Sequence, residues 1–465
     1  MSNTPVPQHI LIIGAGVFGL STALSLLSNP AYNATRITII DGSPSLPNPS
    51  GSSVDANRIV RADYADKHYA QLASQAQELW RDKRKDGWGG EGRYHEPGFV
   101  LTADEDKDAY LRQSLANVRN LAQDGGNVDL SKIREIRGRD EIRKATGYGS
   151  VSGDHGYANF NSGWADAEAC VAYALRRIQS ESGGRVTIRP GAQVARLVFS
   201  GSNCQGVELA GAGGEQIHAD LTVVAAGAWS PSLIDLQGRC LATGQTMAYL
   251  DITPEEQAAM ENRPTIMNMS KGMFVIPPRG NVLKIARHGY GYRNPVKLSR
   301  AVIDPEIGIS NDPDIDPGSV QVSVPKVGIP IPLEAEEALR EALGEILPQM
   351  ADRPFTRTRI CWYCDTPSGD FLITYHPCFQ NLFLATGGSG HGFKFFPVIG
   401  DKIVAAISGT LEPQLAKIWR WRSREDLRRE MKDGGEDGEE FTGCEDGSRA
   451  GRKGMVLDEE MQRRR

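Results

Sequence analysis

His9-Ile10-Leu11-Ile12-Ile13 shows no polar alternation and reads as a strand buried on both faces, the pattern of a parallel sheet. Gly14 to Gly19 interrupt it as a turn, residues 17 to 28 carry apolar side chains at helical spacing, and a second strand, Ile37 to Ile40, ends at Asp41. This is a βαβ unit opening a Rossmann-type sheet. Residues 43 to 53, with three prolines and five serines, form a loop, and a polar helix is expected around 67 to 85. The stretch between them, Asn57 to Tyr64, has the look of site-lining chain. Asp166 to Ser182 is again helical in spacing, and strands at 185 to 189, 193 to 199, 205 to 209 and 220 to 225 suggest a return to the first sheet. From 241 to 370, strands mix with a Pro/Asp-rich loop at 304 to 317 and a strong helix at about 334 to 347, the make-up of a second, substrate-binding domain. Beyond about 424, charges alternate with glycine and apolar periodicity disappears, which predicts a disordered tail.

At 465 residues the chain has room for two intertwined domains and a sizeable buried site. A formal charge of -6 and a pI near 5.9 give no global attraction to nucleic acid or anionic lipid. Seven cysteines, spread from Cys170 to Cys444, make no disulfide framework and suit a reducing compartment. The N-terminal apolar stretch lacks a basic flank and is broken by glycines, and no later run has the length of a membrane span, so neither signal peptide nor transmembrane helix is expected. The last residues, Gln-Arg-Arg-Arg, are not a Ser-Lys-Leu address, so the cytoplasm is the expected location, with the peroxisome as the alternative.

Gly14-Ala15-Gly16-Val17-Phe18-Gly19 fits G-x-G-x-x-G: Gly14 for the tight turn, Gly16 for backbone approach to a pyrophosphate, Gly19 for helix-on-strand packing. The helix N-terminus then presents amides and a positive dipole end to phosphate. Asp41, at the end of the second strand, suits ribose hydroxyls and disfavours a 2'-phosphate, so NADP is not expected. The pattern alone does not separate FAD from NAD. Val223 to Trp229, a strand running into the small residues Ala226 and Gly227, closes near the dinucleotide or is an ordinary buried strand. Cys361 and Cys364 form a C-x-x-C, which in isolation also describes a redox pair or half a zinc site; with no second C-x-x-C, a metal is not expected.

Arg359-Ile360-Cys361-Trp362-Tyr363-Cys364-Asp365-Thr366-Pro367, followed by Gly387-Gly388-Ser389-Gly390-His391-Gly392-Phe393-Lys394, resembles the monomeric sarcosine oxidase family, which includes pipecolate, saccharopine, N-methyltryptophan and fructosyl-amino-acid oxidases. The resemblance covers about 8 to 420 and implies an α/β fold like that of D-amino-acid oxidase. In that fold a Rossmann-type FAD-binding domain (1–92, 158–240 and 370–425) is interleaved with an α+β substrate domain (93–157 and 241–369), leaving 426–465 as the tail. It implies FAD bound covalently through Cys361, with Gly14, Gly16, Val17, Phe18, Gly19, Asp41, Asn57, Arg58, Val194, Ala226, Gly227, Gly388, Gly390, Phe393 and Lys394 around the cofactor. It assigns Lys394 and Arg61 to the substrate carboxylate, Arg58 to the flavin, Lys284 to the face where oxygen reacts, His288 to the substrate, and Tyr363 to the same centre. Asn57 stands where sarcosine oxidase has threonine and Phe274 where it has an active-site tyrosine, so the substrate does not carry over.

The expected function is oxidation of a small, carboxylate-bearing secondary amine, of the sarcosine, pipecolate, saccharopine or N-methyl amino acid type, to an imine, with oxygen reduced to peroxide by a monomer. A pocket containing Arg58, Arg61, Lys284 and Lys394 disfavours a further cation and thereby favours the neutral amine. A fructosyl amino acid is the alternative substrate. In other classes, an NAD-dependent dehydrogenase would share the glycine motif, and a non-catalytic flavoprotein would keep it without needing Lys284, His288 and Lys394 together.

Overall fold

The computed structural model describes residues 6–104, 107–211, 213–299, 318–430 and 441–464. The continuously apolar strand His9–Ile13 is central in a six-stranded sheet, between Leu221–Val224 and Arg36–Asp41, with all five of its residues buried. Val186–Pro190 and Leu382–Thr386 continue the sheet in parallel, and Leu372–Tyr375 closes one edge antiparallel. The first helix, Val17–Ser28, is buried except at Ser28, because it lies between the sheet and the helix Phe396–Ile407. A side chain at Gly400 would sit 1.9 Å from Ser21 O, so glycine there permits the two helices to touch.

The second sheet has eight strands in the order Arg357–Asp365, Leu241–Asp251, Val282–Arg287, Met273–Arg279, Thr265–Asn268, Phe99–Ala103, His155–Asn159, Ile133–Arg137. All its pairings are antiparallel except that of Thr265–Asn268 with Phe99–Ala103. A small sheet of Arg58–Val60, Gly163–Ala165 and Tyr94–His95 lies beside it in the chain.

Several expectations need correction. Of the strands placed in the first sheet, only Val186–Pro190 and Leu221–Val224 belong to it; Val194–Ser200, Asn203–Leu209 and Gln216–His218 form a separate antiparallel sheet, whose short turns let the chain pair with itself. The helix expected over 67–85 spans Lys67–Trp80; it stops where the chain folds back so tightly that a side chain at Gly89 would lie 2.0 Å from Trp80 O. The helix Leu333–Ile346 occupies nearly the range read from the sequence. The Pro/Asp-rich loop at 304–317 lies outside the described residues. The tail expected to be disordered is ordered over 441–464: Phe441, Cys444, Arg449, Ala450, Met455 and Leu457 are buried, and Ala450 and Val456 form bridges with Gly289 and Arg293. Its apolar residues are too widely spaced to show a period, yet Met455 and Leu457 join the core around the eight-stranded sheet. No helix among the described residues is long and apolar enough to cross a membrane.

Candidate active site

The βαβ turn opens onto a cavity of about 530 Å³ lined by Gly14, Gly16, Val17, Phe18, Asp41 and Arg58, among others. Val194, Ala226, Gly227, Gly388, Gly390 and Phe393 also reach its wall. Gly14 has φ +112°, and a Cβ there would lie 2.4 Å from Ala225 O, so the turn tolerates only glycine. Gly16 gives the first helix no side-chain cap, which leaves its N-terminus facing the cavity; Ser53 Oγ accepts from Val17 N at 3.0 Å. Asp41 accepts from Ala15 N and Ser43 N at 2.9 Å each and from Asn48 Nδ2 at 3.1 Å. A carboxylate has about four acceptor sites and three are taken, so capacity for one ribose hydroxyl remains. This cradle fits a dinucleotide. Gly19 is not in the cavity wall; a Cβ there would lie 2.0 Å from Gly14 O, so its part is packing.

At and behind the cavity wall, four segments distant in sequence bring cations together. Arg58, at the start of its strand, donates to Ser52 O at 2.9 Å, pairs with Asp55 and lies 3.5 Å from Cys361 Sγ. Cys361 is fully buried and does not line the cavity, whereas Cys364 does; Cys361 meets the site at Arg58 and lies near enough to Lys284 and Tyr363 to act on their charge. Odd spacing along the strand Arg357–Asp365 sends Cys361 and Cys364 to opposite faces, into different clusters, so the C-x-x-C cannot act as a redox pair. All seven cysteines are free.

Lys284 donates to Asp55 Oδ2 at 2.8 Å and to Asn57 O at 2.9 Å, while Tyr249 Oη donates to Asp55 Oδ1 at 2.6 Å. Burial pushes the Lys284 ammonium down to about 8, against the pull of Asp55. Burial penalises the Asp55 charge, yet Lys284, Arg58 and Arg359 hold its carboxyl far below the usual range. Asn57 does not reach the cavity wall; it is buried, donates to Pro277 O at 3.2 Å and leaves Oδ1 without a partner. Phe274 lies with its ring 5.9 Å from Lys284 Nζ.

Arg61 is buried against the rings of Tyr64 and Phe99, at 5.1 and 5.3 Å, makes no ion pair among the described residues and leaves Nη1 unpartnered. Lys394, also buried, donates to Tyr64 Oη at 2.8 Å and His391 O at 3.0 Å. Trp80 Nε1 fixes its backbone by donating to Lys394 O at 2.7 Å. Burial, and then the neighbouring Arg61, push the Lys394 ammonium well below its ordinary value. The buried Asp63 carboxylate acts on both cations but is itself held by Asn159 and Ser162, at 3.0 and 2.9 Å, and pairs with neither, so the two form a ready anion site. Lys394 itself stands behind the cavity wall rather than in it.

His288 lies one residue past the strand Val282–Arg287, with Nε2 3.2 Å from Ser448 Oγ and Nδ1 3.4 Å from an Arg449 nitrogen. Burial, Arg449 and Arg61 keep its imidazole neutral, well below the usual histidine range. Arg449 donates to Asp365 Oδ1 at 2.6 Å and Ser389 O at 3.0 Å and lies 5.3 Å over the Tyr363 ring. Tyr363 lines the cavity and crowds Gly390, whose Cβ would sit 2.3 Å from that ring. Sequence reasoning missed Asp55, Tyr249 and Arg449. The first lies two residues before Asn57 and a motif could have flagged it; the others are single residues without local signal.

Residues 9–406 match the family described as FAD dependent oxidoreductase. An amino acid oxidase of Aspergillus flavus is 32% identical over 90% of this chain and 98% of its own length. L-saccharopine oxidase of Schizosaccharomyces pombe is 31% identical over 91% and 95%. The crystal structure of the deglycating enzyme fructosamine oxidase (amadoriase II) from Aspergillus fumigatus superposes with a TM-score of 0.75 at 26% identity, covering 97% of this chain and 96% of that one. The chain belongs to the FAD-dependent oxidoreductase family.

Proposed function

We propose that this protein is an FAD-dependent amine oxidase that converts a secondary-amine amino acid to its imine with oxygen as acceptor, and that it holds FAD covalently through Cys361. The observation that carries the reading is the buried pair Arg61 and Lys394, which makes no ion pair among the described residues, with Lys394 directly following the cavity-lining Phe393. The names of the amino acid and saccharopine oxidases among its relatives support it.

Bound FAD supplies the two-electron acceptor for the amine carbon and the surface on which oxygen is reduced. Arg61 offers a planar fork and Lys394 a point charge to the substrate carboxylate, which fixes the amine end by orientation. Arg61 and Lys394, which make no ion pair among the described residues, disfavour an ammonium beside them and favour the neutral amine. Neutral His288 borders this space but already faces Ser448 and Arg449, so it shapes the pocket more readily than it accepts a proton. Lys284, held by Asp55, brings positive charge to the site of oxygen reduction, where negative charge develops. A fructosyl amino acid is the second reading, supported by the likeness to amadoriase II. We place the protein in the cytoplasm as a monomer, a compartment its free cysteines suit.

The test is to mix the purified yellow protein anaerobically with sarcosine, L-pipecolate, L-saccharopine and a fructosyl amino acid in turn. Bleaching by a secondary amino acid, and one peroxide per imine on admitting air, are expected. No bleaching by any of them would overturn the reading.

A further inference from the structure

The hydrogen bonds around Lys394 run in one direction. Gly369 O can only accept, and His391 Nε2 lies 2.8 Å from it, so Nε2 carries the ring proton. Burial and the Lys394 ammonium push the His391 imidazole down to about 3, so Nδ1 is bare. Tyr64 Oη, 3.0 Å from Nδ1, must therefore donate to it, and the phenol oxygen turns its lone pairs to Lys394 Nζ at 2.8 Å. The second Lys394 proton goes to His391 O at 3.0 Å. An ammonium has three protons. Two are committed by this chain, and one remains free for an anion, with Arg61 near enough to act on the same charge.

We infer that Tyr64 and His391 are positioning residues that aim the remaining N–H of Lys394 at the substrate carboxylate, a role that rests on the amine-oxidase reading only in the identity of the substrate. The arrangement is built rather than incidental. The Tyr64 ring is buried and packed at 5.5 Å from His391 and 5.9 Å from Phe395, and His391 stacks on Phe371 at 4.8 Å, so neither ring can turn freely. The chain ends at Gly369, which has φ +78°, and a Cβ there would come 3.1 Å from Cys444 Sγ. The docked C-terminal segment thus braces the far end of the relay. The backbone carbonyl at that end cannot pass a proton on, which makes the chain a device for orientation and not for proton transfer.

Tyr64→Phe keeps the ring and deletes the acceptor; His391→Leu deletes both ring nitrogens; His391→Gln restores one donor and one acceptor. Each is made in the wild type and in Lys394→Met, and KM and kcat are measured for sarcosine and for its amide. Tyr64→Phe and His391→Leu should raise KM for the acid about tenfold, by misaligning a charge-assisted bond, with little change in kcat or in KM for the amide, and no effect in Lys394→Met; His391→Gln should recover most of the loss. Equal losses on acid and amide, or full losses in the Lys394→Met background, would overturn the inference. Benzoate binding, followed by the visible absorbance of the holoenzyme, separates this from the substrate reading. If wild type oxidises neither compound but binds benzoate, and Tyr64→Phe weakens that binding only when Lys394 is present, the positioning role stands while the amine-oxidase reading falls. Benzoate binding unchanged by Tyr64→Phe, or absent from the wild type, overturns the positioning role.

Discussion

Lys284 shows how one charge can be both costly and useful. Its ammonium is 1% exposed, and burial pushes it down to about 8, yet Asp55 and Asn57 O keep it bonded. Because the depressed value leaves the cation present below pH 8 and lost above it, reaction with oxygen should slow as pH rises through 8. Asp55→Asn removes the counter-charge and should move that fall-off to lower pH; stopped-flow reoxidation across pH checks it, and an unmoved profile would count against the pairing. Lys284→Met should slow oxygen use by about a hundredfold or more, the scale of losing one preorganised electrostatic group, while anaerobic bleaching by the amine changes little. Equal slowing of both steps would sink the assignment. Arg58, Arg61, Lys284 and Lys394 were picked out only because the short stretches that carry them resemble a known family, and the fold brings them together. Asp55 was not, because its meaning comes from Lys284, 229 residues away.

At the scale of elements, the C-terminal segment reverses its sequence pattern. Residues 441–464 read as solvated chain, yet Arg449 and Asp365 form an ion pair with side chains 1% and 0% exposed. Breaking a buried pair leaves one charge without compensation, so Arg449→Ala should cost about 3–5 kcal/mol. Thermal unfolding should show a lowered midpoint, partly recovered by adding Asp365→Asn, since an amide needs no counter-ion; a midpoint like that of wild type would mean that the segment is not docked. The first βαβ unit was fully legible, since a buried strand, a glycine turn and a helix each have their own period or punctuation. Val194–Ser200 and Asn203–Leu209 were legible as strands but were assigned to the wrong sheet, because pairing partners leave no mark on a single strand's pattern.

Across the whole molecule, six-stranded and eight-stranded sheets divide the work: one supplies the dinucleotide cradle, the other Lys284 and Cys361, and the segment Asn57 to Tyr64 brings Arg58 and Arg61 to the site. The sequence showed the two kinds of chain but not the pairing order, which runs from Arg357–Asp365 at one edge to Ile133–Arg137 at the other. Buried neutral histidines give the fold a common acid sensitivity. Burial pushes His376 down to about 4 and His391 down to about 3, from an ordinary value of 6.5, so both favour the folded state fully above 6.5 and lose that contribution as pH falls through the lower values. Melting temperatures should drop steadily below pH 6.5, and His391→Gln should flatten the slope; an unchanged slope would remove His391 as a cause.

The most direct measurement is acid precipitation of the purified holoenzyme beside its Cys361→Ala variant, with flavin absorbance read in pellet and supernatant. A yellow wild-type pellet and a colourless variant pellet are the predicted result. Release of all flavin from the wild type would contradict covalent attachment at Cys361, and a wild type with no flavin at all would contradict the account as a whole.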